Sequence, residues 1–173
     1  MRNYYLIILF FFLTSCGFHP RGPTVLSPPL QNLYLQTNDP YGQLTHNLQL
    51  YLKMAGVHLA KTQETSTSVL EILSENTSEQ LLNISGTQAT RQYNLILTVT
   101  YQITDNHGNI LTSIQTATET RPLTINANQM LSGSNQAVSL YQQMRQAIVY
   151  DIMSRLASRE ISMILTISKP IHP

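Results

Sequence analysis

Reactive side chains are few in this chain and widely spaced. Its 173 residues hold one cysteine, Cys16, with five histidines and nine carboxylates. A lone thiol excludes an intramolecular disulfide, and in an exported chain an unpaired thiol invites intermolecular ones, so Cys16 calls for a chemical use of its own. The histidines are His19, His46, His58, His107 and His172. No two stand three or four apart, so the helical pair that binds zinc is absent. His46 falls beside the apolar stripe of an expected helix and reads as a surface or boundary residue; His107 falls in an expected turn and reads as solvated. Glu71, Glu75 and Glu79 recur every four residues, but the pattern around Glu71 is that of a strand, on which Glu71 and Glu75 would share a wet face. There is no phosphate-cradling Gly-rich loop, no Gly-x-Ser-x-Gly elbow and no pairing that suggests a catalytic triad. The expectation is a non-enzymatic protein with no catalytic residues, no metal and no cofactor.

Composition narrows the classes further. Charged residues make up 11% of the chain, against roughly 25% in an average soluble domain. Ser, Thr, Asn and Gln fill the gap with 61 residues of 173. The formal net charge of +1 and the ten Lys and Arg give no broad electrostatic grip, so nucleic acid is not an expected partner. Hydrophobic residues at 42% suffice for a core and exclude a wholly disordered chain.

The first fifteen residues read as an address. Arg2 is followed by eight consecutive apolar residues, Leu6 to Leu13, which suits the core of a signal peptide and falls well short of the ~20 residues of a spanning helix. The segment ends Leu13-Thr14-Ser15-Cys16-Gly17, which resembles a bacterial lipoprotein box, where small residues precede a cysteine that is lipidated and becomes the mature N-terminus. The resemblance implies that Cys16 carries acyl chains, several of which give stable anchoring where one is marginal. Gly17 stands where many lipoproteins retained at the inner membrane have Asp, so the outer membrane is the expected location.

The elements that position the remaining residues are punctuated by Pro and Gly. Pro20, Pro23, Pro28 and Pro29 with Gly17 and Gly22 predict an extended tether over 16–32. Leu33 to Gln36 reads as a short strand. Asp39 as N-cap, Pro40 at the first helical position, the series Leu44, Leu48, Leu52 and Ala55, and a closing Gly56 predict a helix over 40–55. Val69 to Leu73 reads as a strand. Tyr93 to Thr104 alternates, with Tyr93, Leu95, Leu97, Val99, Tyr101 and Ile103 on one face and mainly Asn, Thr and Gln on the other, Ile96 excepted; one buried and one wet face is the habit of an antiparallel sheet. Asp105 to Asn109 signals a hairpin turn, and Ile110 to Thr120 returns as a strand stopped by Pro122. After a polar link over 126–135, Ala137, Tyr141, Met144, Ile148, Ile152 and Leu156 predict a second helix of about 20 residues, with Asp151 and Arg155 as an i,i+4 pair. Ile161 to Ile167 either extends that helix or lies loose. The expected architecture is α+β: two helices packed on one face of a mixed four-stranded sheet, with the domain over 33–160 and a tail, 161–173, without regular structure.

Several of these residues carry a resemblance. Cys16-Gly17-Phe18-His19-Pro20-Arg21, Leu33-Tyr34-Leu35, Asp39-Pro40-Tyr41-Gly42-Gln43-Leu44 and Met54-Ala55-Gly56-Val57 are similar to the opening, first strand, helix start and helix close of the LptE family of lipopolysaccharide-assembly lipoproteins. Tyr93 at the head of the long strand and Asn128-Gln129-Met130 before the second helix resemble it more loosely. The resemblance implies the two-helix, four-stranded fold reached from the residues. It also implies a lipoprotein that plugs and helps assemble the outer-membrane β-barrel LptD and takes part in binding and inserting lipopolysaccharide. That family is thought to contact lipid phosphates through basic residues near strand ends and before the second helix. Here residues 131–135 hold no Lys or Arg, which leaves Arg91 and Arg121 as the lipopolysaccharide-binding candidates. The alternatives are a periplasm-facing lipoprotein for another envelope glycan or protein, and a small hydrolase.

Overall fold

The alternation in the middle of the chain organises the molecule. In the computed structural model, which describes residues 26–85, 90–126 and 130–167, strand β4 spans Thr90–Asp105, and Leu95, Leu97, Val99, Tyr101 and Ile103 are all buried on one face. The expectations for the signal segment, Cys16, the tether up to residue 25 and residues 168–173 lie outside the described residues.

Strand β1 is Asn32–Thr37, helix α1 Gln43–Met54, strand β2 His58–Leu59, strand β3 Ser68–Ser85, strand β5 Gln115–Asn126, helix α2 Met130–Leu156 and helix α3 Arg159–Ile167. The sheet order is β2-β1-β3-β4-β5. β1 runs parallel to both neighbours, while β3, β4 and β5 form an antiparallel meander. The sheet is therefore mixed, as expected, but has five strands instead of four. The fifth, β2, is two residues long, too short to leave an alternation in the sequence.

Both long helices cover the same face. Leu44, Leu48 and Leu52 of α1 and Met144, Ile148, Ile152 and Leu156 of α2 join the buried face of β4 in one core with Leu33, Leu70, Ala117 and Leu123. Each fully buried Leu or Ile contributes roughly 1.5–3 kcal/mol relative to an exposed one, so these two stripes dominate the docking of the helices. The packed unit also reaches past both expected boundaries. Leu26 and Leu30, on the tether side, are buried, as are Ile161 and Leu165 on α3. Of the two options for the 161–167 segment, the chain takes a third: α2 ends at Leu156, and a separate helix starts after Ser158, whose Oγ accepts the Ile161 amide at 3.3 Å as an N-cap does.

Local corrections have physical causes. Asp39 does not cap α1; Gly42 is the N-cap residue, without a side-chain cap bond. Asp39 and Pro40 instead form a turn closed by the Gly42 amide on the Asp39 carbonyl at 3.2 Å, with Pro40 at the position that favours its fixed φ. Gly56 does close the helix, at φ 79°. The turn at Asp105 forms, with Gly108 at φ 87°, but Ile110 makes only an isolated bridge to Thr104, and β5 begins at Gln115. β5 then runs through Pro122, because at the sheet edge a missing N–H costs no ladder bond.

Candidate functional site

Arg91 and Arg121 lie on neighbouring strands and share a face. Arg91 of β4 stands opposite Ile125, and Arg121 of β5 opposite Leu95, so both project on the side that carries the helices. They are not brought together: four residues of register separate them, about 13 Å. Arg121 is bound to Glu119 at 2.7 Å. Arg91 is exposed and makes no ion pair among the described residues.

The opposite face of the sheet is polar and nearly uncharged. Thr98 and Thr118 exchange a hydroxyl hydrogen bond at 3.4 Å, with Thr100 opposite Thr116 one step on. Ile96, the exception in the alternation, lies within this face between Ser78 and Thr120. Glu71 anchors one end: its carboxylate accepts from Gln102 Nε2 at 2.6 Å and from Gln36 Nε2 at 3.3 Å. Such a surface offers donors and acceptors to a polar wall without asking ions to give up their water.

Glu75 is absent from that face. A register shift between Ile72 and Ser74 adds one residue to β3, and the side chains from there to a second shift, between Leu81 and Asn83, change sides. Glu75 therefore stands opposite Val99 on the helix side, where Arg145 of α2 binds it at 2.7 Å. The expectation that Glu71 and Glu75 share a face is thus overturned by the bulge. Next to this pair, between the start of α1 and the bulge, lies a groove of about 540 Å³ that includes Asp39, Glu75 and Arg145 on its walls. Among the described residues, no group of three or more His, Cys, Asp and Glu could hold a metal. His46, His58 and His107 are all exposed.

Tyr101, Tyr141 and Asp105 are among the titrating groups tuned by their surroundings. Burial raises the Tyr101 hydroxyl above its ordinary range; the charge and hydrogen-bonding contact of the Arg155 side chain work against this and the Asp151 charge with it. Burial likewise raises Tyr141, helped by Glu79 and opposed by Arg145. Burial would also raise Asp105, but the Asn109 side chain and the amides of Asn109 and His107 donate to it and hold it below the usual carboxylate range. Asp151 and Arg155 form the i,i+4 pair expected from their spacing, at 2.9 Å. Arg145 and Tyr101 could not be singled out from the sequence, because each sits in an ordinary apolar or amphipathic pattern and gains its partners only through tertiary contact.

The chain is similar to known lipoproteins. The model of the LptE family, described as lipopolysaccharide-assembly, matches residues 30–156. The LPS-assembly lipoprotein LptE of Pectobacterium atrosepticum is 33% identical over 91 residues, 51% of this chain and 49% of that protein. That of Yersinia enterocolitica is 31% identical over 90 residues, 51% of this chain and 44% of the relative. The chain thus spans about half the length of the curated relatives it matches. Among solved structures, a minor lipoprotein from Acinetobacter baumannii superposes with a TM-score of 0.65 at 26% identity, covering 76% of this chain and 93% of that one. A lipoprotein B from Nitrosomonas europaea, at 22% identity and a TM-score of 0.69, covers 90% of this chain and 99% of its own, and shares the fold.

Proposed function

The chain belongs to the LptE family of lipopolysaccharide-assembly proteins, and from that membership we propose that it is an outer-membrane lipoprotein that plugs and helps assemble an LptD-like β-barrel and takes part in lipopolysaccharide binding and insertion. Cys16 carries the lipid anchor, and the domain sits within the partner barrel, or against it from the periplasm. The reading rests on one observation: the family match covers residues 30–156, which takes in every strand and both long helices. The Thr- and Gln-lined sheet face supports it, because a polar barrel lumen would meet hydrogen-bonding groups there and few charges that must be desolvated.

Lipopolysaccharide contact falls to Arg91 first and Arg121 second, since Arg121 already has a carboxylate at 2.7 Å. The test is co-purification of the full chain from detergent-solubilised outer membranes. A β-barrel should come down with wild type in near-stoichiometric amount, and acyl label should be incorporated by wild type and lost in Cys16→Ala. Absence of any barrel, or equal labelling of both proteins, ends the corresponding part of the reading.

A further inference from the structure

Hydrogen bonds fix the end of the domain at which the chain from Cys16 arrives. Ser68 Oγ, at the start of β3, donates to the Pro29 carbonyl at 2.9 Å. Ser68 pairs with Asp105, the last residue of β4, and Ile110 bridges the neighbouring Thr104. Gln63 Nε2 donates to the Asn106 carbonyl at 3.3 Å across the same end. α1 also closes here, where the His58 amide donates to the Gln31 carbonyl at 2.7 Å, and α3 shares a cavity wall with residues 112–115.

This end is apolar where it meets solvent. Of ten large apolar side chains exposed among the described residues, four stand on it: Met54 at 71%, Ile110 at 69%, Ile114 at 61% and Met163 at 58%. They come from α1, the 105–115 connection and α3, three elements that share nothing but this end. Single exposed apolar residues are ordinary; four gathered where a lipid tether arrives are not. Lys53, Lys61 and Arg159 belong to the same end, as do Glu64, Asp105 and Glu160, so its charges nearly cancel.

We propose that this end rests on the phospholipid leaflet that holds the anchor, with Met54, Ile110, Ile114 and Met163 set into the boundary between headgroups and acyl chains. The proposal rests on the reading of Cys16 as the lipid anchor and needs no barrel. From Cys16 to Leu26 the chain spans no more than about 36 Å when fully extended. Leu82, near the far end of β3, lies about 45 Å along the strand from Ser68. The tether is thus too short for the domain to stand on that far end. Because the charges cancel, the contact is made by apolar side chains and does not depend on anionic lipid.

The chain contains no Trp, so a single introduced Trp reports its own surroundings. The acylated full chain is reconstituted in vesicles of phosphatidylethanolamine and phosphatidylglycerol, with and without brominated acyl chains, as Ile114→Trp, Met163→Trp or Leu82→Trp. Leu82 is the control, apolar and 53% exposed but at the opposite end. Ile114→Trp and Met163→Trp are expected to shift to the blue and lose about half their emission or more to the brominated lipid. Leu82→Trp should do neither, and exchanging phosphatidylglycerol for phosphatidylcholine should change nothing. Flotation of the wild-type chain with the vesicles reads the anchor separately. A chain that does not float overturns the Cys16 reading and this inference with it. Flotation without quenching at positions 114 and 163, equal quenching at position 82, or quenching that requires phosphatidylglycerol overturns this inference alone.

Discussion

Arg145 Nε donates to Glu75 Oε1 at 2.7 Å across 70 positions of sequence, and the contact exists because β3 carries one extra residue near Leu73. Before the bulge, Glu71 pairs with Gln102 on the polar face; after it, Glu75 pairs with Val99 on the helix face. A single inserted residue thus decides which of two nearby carboxylates serves the surface and which ties α2 to the far half of β3. Tyr141 Oη, donating to the Ser78 carbonyl at 3.4 Å one turn earlier on α2, extends the same seam.

The pair is about three-quarters buried, with side chains 23% and 25% exposed, so its coupling should approach the upper end of the range for accessible ion pairs. Glu75→Ala and Arg145→Ala are each expected to lower urea-unfolding stability by about 1 kcal/mol, and the double variant by clearly less than their sum. Strict additivity would show that the two side chains are neighbours without energetic contact.

How much of this was legible beforehand depended on whether a signal was local. The alternation of Tyr93 to Ile103 set the buried face of β4, and the leucines of α1 and the stripe of α2 set their packing sides, because a helix or strand period is written within a few residues. The bulge near Leu73 was not legible, since it is a property of the pairing with β4 and leaves no mark in β3 alone. Pro122 was misread for a related reason: whether a proline stops a strand depends on whether that strand has a neighbour on its N–H side. The Glu75–Arg145 pair joins residues 70 positions apart, so no spacing rule could have assembled it, whereas Asp151 and Arg155, one helical turn apart, needed nothing else.

Gly133 lies on α2 where the helix meets β5. A Cβ there would come within 3.0 Å of three Ile125 side-chain atoms. Alanine normally improves a helix by about 1 kcal/mol over glycine, but here Gly133→Ala is expected to destabilise by about 1 kcal/mol through overpacking. In an Ile125→Ala background the sign should reverse. Thermal or urea unfolding of the four proteins reads the reversal; a stabilising Gly133→Ala in the wild-type background would show that Ile125 yields freely.

Pro122 sits in the edge strand β5, opposite Asn94, and can do so only with its nitrogen turned away from β4. It therefore breaks the row of outward N–H groups that an added strand would need. Pro122→Thr should leave the fold intact and increase self-association through this edge. Sedimentation velocity of the two proteins at matched concentration is the check, and an unchanged monomer fraction would refute the guarding role.

Asp105 gives a pH signature. Its folded pKa is depressed below the ordinary 3.8, so the stabilisation it brings is complete above that value and is lost as pH falls through the folded pKa. Unfolding measured from pH 6 downward should show wild type losing this increment only below about pH 4. Asp105→Asn should start less stable at pH 6 and fall less steeply in the acid range. Parallel curves for the two proteins would exclude the turn as a source of acid sensitivity.

Arg91 and Arg121 should differ as lipid contacts if the proposed function holds. The Arg121 guanidinium is bound to Glu119 at 2.7 Å, so any phosphate it meets must displace or share that carboxylate, and the acid repels the incoming anion. Arg91, exposed and without an ion pair among the described residues, has only water to give up. A charge-assisted hydrogen bond is worth roughly 1.5–3 kcal/mol. Arg91→Ala is accordingly expected to weaken lipopolysaccharide binding about tenfold or more, and Arg121→Ala by less than about threefold. Glu119→Gln, by freeing Arg121, should strengthen binding and bring the two arginines closer in effect. Binding of purified lipopolysaccharide to the detergent-solubilised full chain measures all three. Equal losses for the two alanine variants, with no gain in Glu119→Gln, would mean that the Glu119 pair does not govern which arginine meets the phosphate.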